Sequence, residues 1–504
     1  MPRKAKTLSS AARVPDTMLT PDTYWLKAPA RRVSFLVDSA AYFAAALSAI
    51  RKARRSILLL GWSFDPRTRL QPGPQEVAGA ADEIGNVLKS LAKRRPDLDI
   101  RVLVWKSALP ISASQHFFPH RSKAWFHNTP VRFRLDATVP YGACHHQKVL
   151  VIDDLVAFVG GADFAPDRWD TPAHLDDEPR RIMPGGARPP ARHEVMMMVD
   201  GEAARALGEL ARSRWLRAAK AAVAPPPNDF LHDPWPSWLP PDMENVEVGL
   251  ARTFPDWREF PEVNEIERLH LASIRAAKRS IYLENQYFTS PVIGEALAAR
   301  LAEPDGPEVL LISTEHSPSY FDQLTMDRTR ADLLRRLWAS DLHDRLRAYY
   351  PLTPAGRTII VHSKVAIIDD RLVRIGSANL NNRSSGFDTE CDAVIEAKDD
   401  EDEGAIARFR ARLIGHFVGH DPADVEQMTT RHGLAATVDT LARASRGRLS
   451  PLSPVAMGPL ASLIADYHLG DPLDAHDSWR PLLRKRRLEG EAESEARAIR
   501  SPSA

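Results

Sequence analysis

The sequence predicts an α/β protein made of two similar halves, followed by a helical extension. One observation is a motif, H-x-K-x4-D, that occurs twice with the same spacing, at residues 146–153 and 362–369. Each copy is followed at the same offset by two small residues, Gly160-Gly161 and Gly376-Ser377. The other observation is a helix-then-strand pattern upstream of each copy. These duplications together indicate that one structural unit occurs twice along the chain.

The helix-then-strand segments are residues 44–62 and 270–288, AAALSAIRKARRSILLLGW and HLASIRAAKRSIYLENQYF. In both, apolar residues recur at helical spacing, basic residues follow near the helix end, and Ser-Ile opens an apolar strand. Aligning Ser56 with Ser280 gives an offset of 224, against 216 between the motif histidines, so insertions nearly balance. Each half is therefore predicted as helix, strand, further α/β elements and then the motif.

Within each motif the His and the Lys lie two residues apart, so a strand directs both side chains to one face. They are His146 and Lys148 in the first copy, and His362 and Lys364 in the second. The apolar segment that follows breaks at an Asp pair and then resumes, which predicts a strand, a tight turn and a strand. This unit places the small residues beside a cationic platform, where a backbone can approach a ligand closely.

If the His-Lys pairs of the two motifs face each other, they predict phosphodiester chemistry. One imidazole can attack phosphorus while the other protonates the departing oxygen, and the two lysines neutralise the non-bridging oxygens. The attacking imidazole must be neutral, so each ring needs an orienting acceptor on its other nitrogen. Glu194 and Glu390 are the candidates for this role. We expect neither a metal nor another cofactor.

These residues resemble the phospholipase D superfamily, whose signature is a duplicated HKD motif, and in particular its eukaryotic-type, lipid-cleaving branch. The similarity runs from about residue 30 to about residue 420. Its most specific segments are residues 145–148 (HHQK), 157–163 (AFVGGAD), 168–171 (RWDT) with His174, and 281–288 (IYLENQYF). The resemblance implies two similar α/β sandwich halves related by pseudo-twofold symmetry, with the active site at their seam.

The resemblance also implies roles for the histidines. In the family, the first-motif His is usually the nucleophile, which forms a phosphohistidine, and the second-motif His is the general acid. These roles correspond to His146 and His362, and the sequence alone does not order them. The predicted catalytic residues are the two HKD sets, His146, Lys148 and Asp153 with His362, Lys364 and Asp369. The two motif Asp residues, however, look structural in the family.

Four further residues are candidates for phosphate binding or orientation. The family's second-motif Asn corresponds to Asn379, a phosphate-binding or fold-stabilising contact, whereas Asp163 stands at this place in the first motif. Glu194 and Glu390 complete the group as orienting carboxylates. Glu194 departs from the family pattern, because the eukaryotic-type branch more often has Asp at this position, directly after the His.

Composition limits the partners. The 504-residue chain is 44% hydrophobic, and its 67 basic and 66 acidic residues give a net charge of +1, so no global field attracts nucleic acid. No segment approaches a membrane-spanning length, and residues 1–15 lack the apolar core of a secretory signal. We expect a cytoplasmic or peripheral membrane protein, with secretion by a signal-peptide-independent route as the alternative. Because both motifs lie in one chain, we expect a monomer.

Predicted domain boundaries follow changes in composition. Prolines are dense between the halves and exclude helix and central strand, which predicts a linker there. The predicted units are an N-terminal segment (1–29), a first half with motif 1 (30–224), the Pro-rich linker (225–245), a second half with motif 2 (246–420), and a helical extension with a charged tail (421–504).

The leading functional prediction is a phospholipase D-type phosphodiesterase that acts on glycerophospholipids such as phosphatidylcholine at a membrane surface. It would release phosphatidic acid and the headgroup, and transfer to another alcohol (transphosphatidylation) would follow the same route. One alternative is a cardiolipin synthase-like phosphatidyltransferase, although such relatives usually carry hydrophobic N-terminal segments. A nuclease-type phosphodiesterase, which favours a basic groove, is a second alternative. A catalytically inactive scaffold is a third, but degenerate copies normally lose a motif His or Lys first.

Overall fold

The computed structural model describes residues 17–75, 79–107, 118–227, 232–319, 322–444, 448–453, 463–464, 466–477 and 480–500. The strands of the first half are β1 (Leu26–Val37), β2 (Ser56–Gly61), β3 (Asp99–Trp105), β4 (Arg132–Asp136), β5 (Val149–Ile152), β6 (Val156–Gly160), β7 (Arg192–His193) and β8 (Val195–Asp200). Its helices are α1 (Ser39–Lys52), α2 (Ile84–Arg94), α3 (Pro119–Trp125) and α4 (Gly201–Ala219).

The second half has a similar order of elements. Its strands are β9 (Met243–Phe254), β10 (Val263–Asn264), β11 (Ser280–Glu284), β12 (Glu308–Ile312), β13 (Leu346–Pro351), β14 (Ile360–Val361), β15 (Val365–Ile368), β16 (Leu372–Gly376) and β17 (Glu390–Glu396). Its helices are α5 (Glu265–Ala276), α6 (Pro291–Leu301), α7 (Arg328–Ser340) and α8 (Asp400–Val418), with π-helical turns at Gln323–Asp327 and Arg383–Phe387. β1 and β9 begin a few residues before 30 and 246, the predicted starts of the halves.

One mixed sheet runs through both halves, and its strand order shows the duplication. From the centre outward, the first half has the order β1-β8-β6-β5-β2-β3-β4, and the second has β9-β17-β16-β15-β11-β12-β13. β1 and β9 pair antiparallel at the centre. The motif hairpins β5-β6 and β15-β16 therefore occupy equivalent places on the two sides of the sheet, as the identical spacing of residues within the two motif copies predicts.

Helices cover both faces of the sheet. In β5, Val149 and Val151 face one core, and Leu150 and Ile152 face another, because successive side chains of a strand alternate. α4 and α8 pack on the first face in a core shared by the halves. On the other face, α1 and α2 cover the first half, and α5, α6 and α7 cover the second. The predicted α/β architecture of two similar halves is confirmed.

The C-terminal extension contains more structure than a charged tail. It comprises α9 (Pro422–His432), α10 (Leu434–Ala444), β18 (Leu449–Pro451), which pairs with β13, and α11 (Pro481–Arg500). In α11, Leu488, Ala492, Ala496 and Ile499 are buried although the segment is highly charged. Their spacing forms one apolar helical stripe, which explains the order of this segment. Among the described residues, no helix has the length and hydrophobicity needed to cross a bilayer.

Candidate active site

The two motifs meet at the seam between the halves. His146 lies just before β5 and His362 just before β15, and both side chains line one cavity of about 570 Å³. Lys148, Asp163 and Asn379 line the same cavity. The structure therefore brings both histidines to the wall of one cavity.

Backbone pairing across the seam brings a glutamate to each histidine. β7 of the first half pairs with β14 of the second in parallel, and the N–H of His362 donates to the carbonyl oxygen of the residue before Glu194 at 2.9 Å. Likewise, the N–H of His146 donates to the carbonyl oxygen of the residue before Glu390 at 2.9 Å. Each half thus supplies the glutamate that contacts the histidine of the other half.

Both glutamates contact the Nδ1 atom of their histidine. Nδ1 of His146 lies 3.0 and 3.1 Å from the carboxylate oxygens of Glu390, and 3.0 Å from the carbonyl oxygen of Ser377. Nδ1 of His362 lies 2.9 and 3.0 Å from the carboxylate oxygens of Glu194. With Nδ1 engaged, Nε2 is the nitrogen of each ring that remains for chemistry.

Burial sets the protonation of these pairs. It lowers the pKa of His146 and of His362 well below the usual 6.5, and neighbouring lysine charges act in the same direction. Burial also raises the pKa of Glu390 to about 7, and it raises the pKa of Glu194. The rings are therefore neutral near pH 7. Donation of Nδ1–H to a carboxylate then leaves a lone pair on Nε2, the form that an attacking imidazole requires.

The motif lysines are held by the backbone beside their histidines. Nζ of Lys148 donates to the carbonyl oxygen of His146 at 2.8 Å, and Nζ of Lys364 donates to that of His362 at 2.6 Å. Nζ of Lys148 also lies 3.4 Å from Oδ2 of Asp163. Burial lowers the pKa of Lys364 to about 7, so its charge is sensitive to pH in the neutral range.

Asp163 and Asn379 occupy equivalent positions in the two halves, 216 residues apart. Oδ1 of Asp163 accepts from the backbone N–H of Trp62 at 2.9 Å, whereas Oδ2 contacts Lys148. Oδ1 of Asn379 is buried and makes no hydrogen bond within the described part of the chain. This side chain therefore offers an unengaged polar atom among the residues that line the cavity.

Three arginines that were not predicted as site residues also line the cavity, Arg168, Arg192 and Arg383. The charges of Arg168 and Arg192 contribute to the low pKa of His362. Arg383 is largely neutralised, because two of its nitrogens lie 2.8 and 2.9 Å from the carboxylate oxygens of Asp388. A signal was present for two of them, since Arg168 falls in a segment shared with the family and Arg192 lies two residues before an orienting glutamate.

The placement of Asp153 and Asp369 requires a correction to the predicted catalytic sets. Neither residue lines the cavity, because each lies beyond the far end of the strand that follows its motif histidine. The carboxylate of Asp153 accepts from the backbone N–H groups of residues 54–56 at 2.7 Å, and that of Asp369 accepts from residues 278–280 at 2.7 to 2.8 Å. Each therefore fastens the turn between a helix and the next strand.

Aromatic side chains form another part of the cavity wall. The rings of Trp62 and Trp105 are stacked with centroids 5.7 Å apart, and both line the cavity together with Tyr287. Of the other aromatics near the motifs, Trp169 and Phe288 lie in the hydrophobic cores. The cavity thus combines cationic and apolar surfaces.

The fold and the site define a class of protein in which two similar α/β halves each contribute one motif histidine to a shared cavity. Residues 49–230 match a family model described as "Phospholipase D", and residues 271–412 match one described as "Cardiolipin synthase, PLD-like domain". The chain belongs to the phospholipase D superfamily.

Curated relatives agree with this assignment. The chain is 25% identical to "Phospholipase D1" of Saccharomyces cerevisiae, across 83% of this chain and 30% of that protein. It is also 25% identical to "Phospholipase D2" of Bos taurus, across 79% of this chain and 52% of that protein. The chain therefore spans about a third to a half of the length of these relatives. Phosphatidylserine synthase of Haemophilus influenzae has the same fold, with a TM-score of 0.53 at 13% identity, over 83% of this chain and 96% of that one.

Proposed function

We propose that the protein is a phospholipase D-type phosphodiesterase that hydrolyses glycerophospholipids, such as phosphatidylcholine, to phosphatidic acid and the free headgroup. The observation that carries this proposal is the pair of neutral imidazoles in one cavity, each held at Nδ1 by a glutamate of the opposite half. Two rings can divide attack and proton transfer between them, which one ring cannot do. The relatives named phospholipase D support the substrate class.

In the first step, Nε2 of His146 attacks phosphorus and the bond between phosphorus and the headgroup oxygen breaks. Nε2 of His362 gives the departing oxygen its proton. The bound phosphodiester is an anion, so its charge raises the pKa of His362 above the value in the free enzyme and favours the protonated form. The products of this step are the free headgroup and a phosphohistidine at His146.

In the second step, the neutral His362 accepts a proton from water as the water oxygen attacks phosphorus. The bond between phosphorus and Nε2 of His146 breaks, phosphatidic acid leaves, and His362 is protonated again. An alcohol that replaces water yields a new phosphodiester by the same movements. Hydrolysis and transphosphatidylation therefore differ only in the acceptor.

The cations of the cavity supply the charge that the transition state requires. Lys148, Arg168 and Arg192 line the cavity, and Lys364 lies behind its wall with its Nζ atom on the carbonyl oxygen of His362. In this scheme their charges stabilise the non-bridging oxygens. Fixed charges of this kind stabilise a developing anion without reorganisation. The scheme routes no step through a metal ion.

A phosphatidyltransferase of the cardiolipin synthase type is a second candidate, because a family model with that description matches the second half. It would use the same phosphohistidine and a lipid alcohol as acceptor. The near-zero net charge argues against a nuclease. We further propose that the enzyme acts as a monomer at a membrane surface, from the cytoplasm or after export by a signal-peptide-independent route.

The experiment measures headgroup release from a panel of phospholipids, with and without a primary alcohol, alongside a nucleic-acid substrate. A second substrate carries p-nitrophenol, a leaving group that departs without a general acid. We expect His362→Ala to lower choline release by about 10²- to 10⁴-fold. The first-turnover burst of p-nitrophenol should fall much less, whereas later turnovers should slow because the attack of water still needs His362 as a base. We expect His146→Ala to abolish both, because it removes the nucleophile. Undiminished release by His146→Ala, or cleavage of nucleic acid alone, would contradict the proposal.

A further inference from the structure

A second cluster of ionisable side chains lies at the seam, outside the residues that line the cavity. It consists of Asp38, His174, His193 and His416, whose side chains are 0 to 3% exposed. Asp38 stands between β1 and α1, His174 in the loop after β6, and His416 near the end of α8. Both halves of the chain therefore contribute to one buried cluster of polar side chains, and the proposed reaction does not involve these side chains.

Three atoms of this cluster form a small triangle. Nε2 of His174 lies 2.8 Å from Nε2 of His416, and Oδ2 of Asp38 lies 3.6 and 3.7 Å from these two nitrogens. In the plane of the three atoms, the point equidistant from them lies about 2.0 Å from each, which matches the distances of zinc to imidazole nitrogen and carboxylate oxygen. The triangle thus has the dimensions of a metal-ligand set.

A neighbouring contact directs the lone pair of His174 into the triangle. Nδ1 of His174 lies 2.9 Å from a carboxylate oxygen of Asp170, so Nδ1 carries the proton and Nε2 the lone pair. The carboxylate of Asp170 is itself held by Arg181 at 3.0 and 3.1 Å. A carboxylate behind a liganding imidazole is a common support of zinc sites.

The carboxylate of Asp38 supplies an independent observation. Its Oδ1 atom is engaged, since it lies 2.9 Å from Nδ1 of His193 and accepts from the N–H of Glu194 at 3.2 Å. Its Oδ2 atom is fully buried and makes no hydrogen bond to any described residue. A buried carboxylate oxygen without a partner is costly, and an ion in the triangle would engage it. His193 is no ligand, because its Nε2 atom contacts Glu284 at 3.0 Å.

We propose that Asp38 Oδ2, His174 Nε2 and His416 Nε2 bind one divalent transition-metal ion, with zinc the best match to two imidazoles and one carboxylate. The ion joins the halves, because His416 belongs to the second and the other ligands to the first. Asp38 also makes two hydrogen bonds with Glu194. Its Oδ1 atom accepts from the backbone N–H of Glu194 at 3.2 Å, and its own backbone N–H donates to the carbonyl oxygen of Glu194 at 2.8 Å. The ion therefore steadies the segment that carries this glutamate and takes no part in bond cleavage.

The test measures metal content in the full chain, produced without an affinity tag in zinc-supplemented medium and then gel-filtered. We expect about one zinc ion per chain in the wild type, and less than about 0.2 in His416→Ala and Asp38→Asn. His316→Ala removes an exposed histidine outside the cluster and should keep the full content. Protein produced with cobalt should show the visible d–d absorption of a four-coordinate ion.

Thermal unfolding supplies a second measurement. Zinc added back to metal-depleted wild-type protein should raise the unfolding midpoint by several degrees, and it should not do so for His416→Ala. Because neither readout uses lipid cleavage, both are independent of the proposed activity. A wild-type protein that holds no zinc and yields no cobalt spectrum overturns the proposal. Equal zinc content in the wild type, His416→Ala and Asp38→Asn also overturns it, since the metal then binds elsewhere.

Discussion

Replacing each orienting glutamate by glutamine separates the roles of the two histidines. Glu194→Gln removes the carboxylate from Nδ1 of His362, and Glu390→Gln removes it from Nδ1 of His146. A hydrogen bond to a charged group contributes about 1.5–3 kcal/mol, which corresponds to roughly a 10- to 150-fold change in rate. Nδ1 of His146 retains the carbonyl oxygen of Ser377 at 3.0 Å, so we expect Glu390→Gln to lie at the lower end of this range. Neither change should be as severe as loss of a histidine.

The assay compares the first-turnover rate of headgroup release from a short-chain phosphatidylcholine with that of p-nitrophenol release from the p-nitrophenyl ester. Since Glu194 acts through the general acid, Glu194→Gln should lower the first-turnover rate on the ester only a few-fold, because p-nitrophenol departs without an acid. The effect of Glu390→Gln should persist, because both substrates require the nucleophile. Glu489→Gln, at an exposed site on α11, serves as the control. If the effect of Glu390→Gln shrinks on the p-nitrophenyl ester and that of Glu194→Gln persists, His146 and His362 exchange roles. If neither lowers turnover more than twofold, the glutamates do not orient the rings.

Three further outcomes are expected. The profile of kcat/KM against pH should be bell-shaped with a maximum near pH 7. Its acid limb arises because Glu390, with its pKa raised to about 7, must lose its proton to accept Nδ1–H of His146. Its alkaline limb arises because Lys364, with its pKa lowered to about 7, loses its charge as pH rises, so Lys364→Arg should remove this limb. Asp153→Asn and Asp369→Asn should each lower the free energy of unfolding in urea by about 2–3 kcal/mol with little change in kcat of the folded protein, and a large loss of kcat without loss of stability would argue for a catalytic role. Gly161→Ala should lower turnover several-fold while circular dichroism shows normal secondary structure. The Cβ atom of the alanine would lie 2.9 Å from the carbonyl oxygen of His362 and 3.0 Å from Oε2 of Glu194, which would displace these two residues. Full activity would show that Glu194 and His362 tolerate this displacement.

Local patterns in the sequence predicted the elements on which the site stands. The apolar segments after each histidine predicted two strands with a tight turn between them, and the structure has β5-β6 and β15-β16 there. The helix-then-strand segments predicted α1-β2 and α5-β11. In each case the pattern lies within about 20 residues, where hydrophobic periodicity and turn residues act directly on the backbone.

Contacts between distant segments were beyond such patterns. The choice of Glu194 and Glu390 as orienting residues could be made from the sequence, but their exchange between halves depends on the pairing of β7 with β14 across 168 residues. The cluster of Asp38, His174 and His416 has no spacing motif, because the fold alone brings these residues together. Helix α11 was not located from the sequence, for which this segment was only a charged tail. Its charge concealed an apolar stripe that a helical projection would have shown.

The exchange of glutamates also indicates why the halves act as one unit. In a half by itself, the histidine would lack the carboxylate that holds its Nδ1 proton, so neither half contains a complete site. The symmetry is broken at several pairs of equivalent positions, and one of them is Gly161, which corresponds to Ser377. The hydroxyl of Ser377 donates to Glu390 at 2.5 Å and its carbonyl oxygen lies beside His146, whereas a glycine has no side chain to offer Glu194. His146 is therefore held more firmly as the Nδ1–H tautomer, which suits a nucleophile. His362, with fewer fixed partners, is better suited to gaining and losing a proton during each turnover.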